Sequence, residues 1–122
     1  MQIRGMARTV FIVRDFEASL AFYRDRLGLP LIGSPEAGWA CFDVKGQQLC
    51  LCAWSSAMPY EEHSLGNSPD QLLLLVDDIE QARDELLSSG LDVRPVQRMS
   101  DSVRIAEFRD PDGRYLGLEE RG

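Results

Sequence analysis

The chain has 122 residues, 44% of them hydrophobic and 27% charged, the balance of a folded domain rather than a disordered segment. Its 13 Lys and Arg face 20 Asp and Glu, a formal net charge of -7 that repels phosphate backbones; with no basic stripe to offset it, nucleic acid is excluded as a partner. No apolar run has the length of a membrane span, and Met1–Met6 lacks the apolar stretch of a secretory signal.

In chain order, Thr9-Val10-Phe11-Ile12-Val13 is β-branched and apolar and reads as a strand buried on both faces. Asp15 then serves as a helix N-cap, Phe16, Leu20, Tyr23 and Leu27 recur at helical spacing, and Gly28 ends the helix. Three extended segments are expected next: Leu29 to Ile32, Trp39 to Val44 and Gln48 to Trp54, the last two joined at Lys45-Gly46. A stretch of mixed polar and small residues, roughly 55–69, is long for a connection inside a compact domain and reads as a linker.

The order then repeats. Leu72 to Val76 is again a continuous apolar strand, and Asp78 is an N-cap with Gln81 placed to reach back to it as a capping-box partner. Ile79, Ala82 and Leu86 form the buried stripe and Gly90 ends the helix. Val13 recurs as Val76 and Asp15 as Asp78 at one and the same offset, and Gly28 recurs as Gly90 one residue early. Leu91 to Val96, Val103 to Phe108 and Arg114 to Glu119 complete the second set of strands, the last pair joined at Asp110-Pro111-Asp112-Gly113, where Pro and Gly suit a tight turn. The expected fold is therefore α+β: one domain, 1–122, of two tandem βαβββ modules at about 6–54 and 70–120.

Val13-Arg14-Asp15-Phe16 through Phe22-Tyr23 to Leu27-Gly28-Leu29 resembles the first-module signature of the vicinal oxygen chelate superfamily, which holds glyoxalases, bleomycin-resistance proteins and dioxygenases. Val76-Asp77-Asp78-Ile79 and Phe108-Arg109-Asp110-Pro111-Asp112-Gly113 resemble its second-module signatures. The resemblance implies that the modules' sheets curl into a partly open mixed-sheet barrel around a cleft. Metal-dependent members set His or Glu on four inward strand positions. Counted from the signatures, these fall on Arg8, Leu51, Gln71 and Gly117. Arg has no lone pair to give and Leu and Gly carry no donor, so neither a metal site nor a cofactor is expected.

Other chemistry is scarce. The single histidine, His63, lies beside Glu61 and Glu62 in the linker and reads as a solvated surface group rather than a ligand or base. Cys50 and Cys52 point to one face of their strand and, with Leu51 inward, are expected to pack as small hydrophobes against the helix. With Cys41 they make an odd count suited to a reducing cytoplasm. No catalytic residue can be assigned.

What remains is a cleft lined by alternation. Arg8, Val10 and Ile12 face it from the first strand, Gln71, Leu73 and Leu75 from the first strand of the second module, and Tyr115, Gly117 and Glu119 from the last. Gly117 leaves room for a ligand, Arg8 pairs with Glu119 or an anionic ligand group, and Trp39, Trp54 and Tyr60 are placed to stack on a flat molecule or to fill the core. The expected role is metal-independent sequestration of an aromatic or cationic molecule such as an antibiotic, as in bleomycin-resistance-like members. The resemblance also implies a homodimer. The alternatives are a glyoxalase- or dioxygenase-like enzyme with relocated ligands, a lyase using Glu119 as base, or a subunit whose cleft is vestigial.

Overall fold

A computed structural model describes residues 1–122. The chain divides into two compact units, Met1–Leu65 and Gly66–Gly122, the division falling inside the expected linker. The fold is α+β, and each unit builds one small mixed sheet with one helix on it.

In the first unit β1 (Thr9–Val13) leads into α1 (Phe16–Ala21), whose Asp15 cap accepts the Ala18 N–H at 3.1 Å. The helix continues as a π-helical turn, Phe22–Arg26, in which the Leu27 N–H reaches the Phe22 carbonyl at 3.0 Å. The wider turn lets consecutive residues Phe22 and Tyr23 both face inward, and Tyr23 is fully buried. Then come β2 (Trp39–Val44) and β3 (Gln47–Ala53), in the order β1-β3-β2, with β1 parallel and β2 antiparallel to β3. Lys45 (φ 51°) and Gly46 (φ 91°) make the two-residue turn between them, where both central residues need positive φ. Asp43 fixes that turn by accepting the Gly46 N–H.

The expected strand at Leu29 to Ile32 is reduced to a bridge, Leu31 to Phe42. Pro30 has no N–H, and only its carbonyl joins the ladder, accepting from Asp43 at 2.9 Å. Arg14 organises the end of the unit: its Nη2 donates to the carbonyls of Glu62 and Leu65, holding a 3-10 turn at Glu62–Ser64.

The second unit holds β4 (Gln71–Leu75), α2 (Ile79–Ser88), β5 (Gln97–Arg98), β6 (Val103–Arg109) and β7 (Tyr115–Arg121), ordered β4-β7-β6-β5 with β4 parallel to β7. Asp78 caps α2 as expected, accepting the Gln81 N–H at 3.1 Å. The return half of the capping box, from Gln81 to the Asp78 N–H, is not made, because the Gln81 amide turns to Glu85; the next N–H, of Ile79, is taken by Glu120 of β7. Glu120 also receives Arg104, so its carboxyl is held below the usual glutamate range, first by the Ile79 N–H and then by the Arg104 guanidinium.

The expected strand at Leu91 to Val96 is displaced to Gln97–Arg98; before it, Arg94 donates its N–H to the Glu107 carbonyl. The β6–β7 turn closes as read, Gly113 to the Asp110 carbonyl at 2.9 Å. Buried Asp110 accepts the N–H groups of Asp112 and Arg114 and pairs with the Arg114 guanidinium at 2.8 Å. Gly66 presses on this turn so closely that a Cβ there would run into the Asp112 backbone.

β1 and β4 are edge strands, which alters one expectation. Neither is buried on both faces: Val10 is 39% exposed, Leu73 40% and Leu75 70%.

Candidate functional site

The two faces of each sheet can be told apart by register. In the first unit Phe11 pairs with Leu51, and the Phe11 ring lies 6.1 Å from that of Tyr23, which in turn lies 6.3 Å from Phe42. This face carries the core under α1. Alternation puts Arg8, Val10 and Ile12 on the other face, with Val10 beside Cys50 and Ile12 beside Cys52. Across β3, Cys50 pairs with Cys41 and Cys52 with Trp39. Arg8 confirms the grouping, for its guanidinium stands over the Trp39 ring, 5.5 Å from the centroid.

Two expectations are corrected here. Leu51 is not on the Arg8 face; it is fully buried beneath α1, because its parallel partner is Phe11. A one-residue change of phase moves every side chain of the strand to the opposite face, so Cys50 and Cys52 lie on the helix-free face rather than against the helix. Cys41 and Cys50 are also bonded as a disulfide, with Cα atoms 4.0 Å apart, and Cys52 is free.

Trp39 borders a shallow depression with Ile32, Glu36, Cys41 and Gln48. Trp54 does not join it. Its indole N–H donates to the Tyr60 carbonyl at 2.9 Å, and its ring borders a second, open depression with Arg14, Glu61, Glu62 and His63. Neither tryptophan is a core residue, since both are only half-buried. His63 is a surface group, its imidazole 3.9 Å from Glu61 with both side chains about four-fifths exposed at 81% and 79%.

In the second unit the helix-free face carries Gln71, Leu73 and Leu75 beside Tyr115, Gly117 and Glu119. Sequence reasoning missed Glu107 and Arg109, which the β6–β7 register adds to this face opposite Gly117 and Tyr115. The signal was available: the same alternation, counted back from the Asp110 turn, reaches both. Glu107 accepts the Gln71 amide at 2.8 Å. Arg109 lies 3.8 Å from the Tyr115 ring centroid and donates to the Tyr115 hydroxyl.

Two details alter the expected lining. The space over Gly117 is already taken, because a Cβ there would sit 2.6 Å from Leu73 Cδ2. Glu119 is held by Arg121 at 2.6 Å, while Arg8 is engaged with Trp39.

A divalent metal does not fit the residues present. The four positions that the family pattern points to hold Arg8, Leu51, Gln71 and Gly117, and Leu51 lies on the wrong face as well as lacking a donor. Nowhere do three or more His, Cys, Asp or Glu side chains gather as a metal ion would require. No helix is long and apolar enough to cross a membrane.

Comparison with known proteins places this geometry. A family model described as the Glyoxalase/Bleomycin resistance protein/Dioxygenase superfamily matches residues 5–117. The uncharacterized protein YraH of Bacillus subtilis strain 168 is 34% identical over 116 residues, spanning 88% of this chain and 91% of its own. Among solved structures, TnmS3, an antibiotic binding protein from Streptomyces sp. CB03234, superposes with a TM-score of 0.79 at 28% identity, covering 100% of this chain and 99% of that one. A glyoxalase/bleomycin resistance protein from the same strain gives a TM-score of 0.70 at 29% identity, over 93% and 98% of the two chains.

Proposed function

The chain belongs to the Glyoxalase/Bleomycin resistance protein/Dioxygenase superfamily, and from that premise we propose that it is a metal-independent binding protein which sequesters a small aromatic molecule. The observation that carries the reading is the helix-free face of the first sheet. There a tryptophan is presented on the same face as the exposed Val10, in the row of Ile12 and Cys52, with a guanidinium resting on its ring. Aromatic and apolar lining with a few placed polar groups is the usual composition of a small-molecule site. The Arg8 guanidinium marks where a flat or cationic ligand would stack on Trp39, or where its own plane would lie against the ligand's ring. The net charge of -7 favours cationic molecules among those that reach it.

The antibiotic-binding character of TnmS3 supports the same reading. The enzymatic alternative fares less well, since the donor set for a metal is wanting and the Glu119 carboxylate, the one candidate base, is engaged by Arg121. A homodimer completes the proposal, on family resemblance.

The test is a thermal-shift screen of aromatic and cationic compounds, followed by titration of the hits into Arg8→Ala and Trp39→Ala. A ligand present at a hundred times its dissociation constant stabilises by about 2.7 kcal/mol, a shift that is easily read. A hit that binds both variants as well as the parent places the site elsewhere. Elemental analysis of the same protein, before and after exposure to Ni, Zn, Mn and Fe, decides the alternative: near-stoichiometric metal would restore the enzyme reading.

A further inference from the structure

We propose that Cys41 and Cys50 form a thiol–disulfide exchange centre that reacts with low-molecular-weight thiols and disulfides, and that its state controls the Arg8–Trp39 face. The second part rests on the binding role proposed above for that face; the first stands without it.

The two residues are Cα partners across β2 and β3. The Cys41 carbonyl accepts from Ile32 at 2.8 Å, on the side away from β3, so the pair is one of the non-hydrogen-bonded pairs of the ladder. Such pairs bring side chains closest, and the Cys41 and Cys50 sulfurs are bonded across the ladder.

The bond is not what holds the strands. A two-residue turn and a ladder of six Cα pairs already join β2 to β3, and a bridge that spans a sequence separation of only 9 closes a short loop that the hairpin closes anyway. A disulfide with so little to constrain is free to serve a chemical purpose. Access is one-sided: Cys50 is fully buried and Cys41 half-exposed, so a small reactant meets the Cys41 sulfur.

Oxidation proceeds in two exchanges. The Cys41 thiolate attacks one sulfur of a small disulfide such as oxidised glutathione, forming a mixed disulfide and expelling one thiolate. The Cys50 thiolate then attacks the Cys41 sulfur and expels the second. Two protein thiols lose two electrons and two protons, and the small disulfide gains them as two thiols. Reduction by an excess of the small thiol is the reverse.

The consequence for the face is steric. Bonded sulfurs lie about 2 Å apart, while unbonded heavy atoms settle at about 3.5–4 Å. Cys50 has no room to yield, so on reduction the Cys41 side chain must swing outward. It borders the same depression as Trp39 and Gln48, and free Cys52 stands directly opposite Trp39 on the same face. The outward thiol crowds the surface on which a ligand would lie, so the oxidised form binds and the reduced form binds less.

The test equilibrates the full chain, without oxygen, in buffers of graded reduced to oxidised glutathione ratio, then alkylates and counts free thiols at each cysteine by mass spectrometry. A Trp54→Phe background leaves Trp39 as the sole indole. The expected result is that Cys41 and Cys50 titrate together while Cys52 alkylates throughout. Trp39 emission should rise on reduction with the same midpoint, and any ligand from the screen should bind the oxidised form about tenfold more tightly, a mid-range coupling. Three free thiols in oxidised glutathione alone, or a bridge that survives a large excess of the reduced form, overturns the exchange centre. A pair that titrates with no change in Trp39 emission overturns its control of the face. Should the screen yield no ligand for either form, the binding role falls while the thiol count and the emission still judge this proposal. Cys41→Ser, at the half-exposed position, serves as the control if Cys50→Ser fails to fold: it must abolish the paired titration.

Discussion

Leu73 and Gly117 offer a direct test of how the second sheet's helix-free face is filled. A Cβ added at Gly117 would lie 2.6 Å from Leu73 Cδ2 and 3.4 Å from the Ala106 carbonyl oxygen. The first distance is about 1 Å inside the optimum for two carbons, so Leu73 must turn away. Because Leu73 sits on an edge strand and is 40% exposed, it can do so by rotating rather than by shifting backbone. An off-rotamer side chain costs about 0.5–1.5 kcal/mol. Against this, alanine in a strand is favoured over glycine by about 0.5–1 kcal/mol. Gly117→Ala alone should therefore be near neutral or destabilising by up to about 1 kcal/mol, whereas in a Leu73→Ala background it should stabilise by about 0.5–1 kcal/mol. The double-mutant cycle in urea unfolding should return a coupling of about 1 kcal/mol, equivalent to about 3–5 °C in melting temperature. Additivity within about 0.3 kcal/mol would refute the reasoning and would mean that the space over Gly117 is open to a ligand after all.

Ser19 is fully buried on α1 and its hydroxyl has no hydrogen-bond partner, so Ser19→Ala should raise stability by about 1 kcal/mol in chemical denaturation; a loss would reveal a partner for that oxygen. Asp110→Ala removes the acceptor of two backbone N–H groups and the partner of the little-exposed Arg114, so it should cost about 3 kcal/mol in chemical denaturation, and a loss under about 1 kcal/mol would show that the turn stands without it. Glu120 has a lowered pKa, so the stability it lends is present above the ordinary glutamate value of about 4.3 and is lost as pH falls from there through its depressed folded value. Glu120→Gln should flatten the fall of melting temperature in that acid window, and parallel slopes for parent and variant would show that the Ile79 and Arg104 contacts do not set it.

The elements most legible in the sequence were those fixed by local chemistry. Asp15 and Asp78 are caps wherever they stand before an apolar stripe, and Lys45-Gly46 and Asp110-Pro111-Asp112-Gly113 can hardly be anything but turns. The second strand of each module, the first after its helix, was the least legible. Leu29 to Ile32 has the composition of a strand, but Pro30 withholds an N–H, and Leu91 to Val96 gives its place to Gln97–Arg98, a pair with no apolar residue to announce it. Partner choice across a sheet is tertiary, and composition does not encode it. The return half of the capping box failed for a local reason instead: the Gln81 side chain runs along the helix to Glu85 rather than back to the Asp78 N–H.

The error at Leu51 is of a different kind, and it bears directly on the candidate site. Alternation gives the spacing of faces along a strand but not their phase, and in β3 three consecutive residues, Leu49, Cys50 and Leu51, are buried, so hydrophobicity offers no phase of its own. The parallel register with β1 supplies it, through the pairing of Phe11 with Leu51. Once the phase is set, both units display the same device on the face opposite the helix: a guanidinium over an aromatic ring, Arg8 on Trp39 and Arg109 on Tyr115. The two are not equivalent. Arg109 is also tied to the Gly113 carbonyl and the Tyr115 hydroxyl, which fixes its plane. Arg8 precedes its strand and rests on its ring alone, so its side chain can leave Trp39 at little cost. A site that must open for a ligand is better built around the second kind of arginine than the first, which is why Arg8 and Trp39, rather than Arg109 and Tyr115, are the pair on which binding should depend.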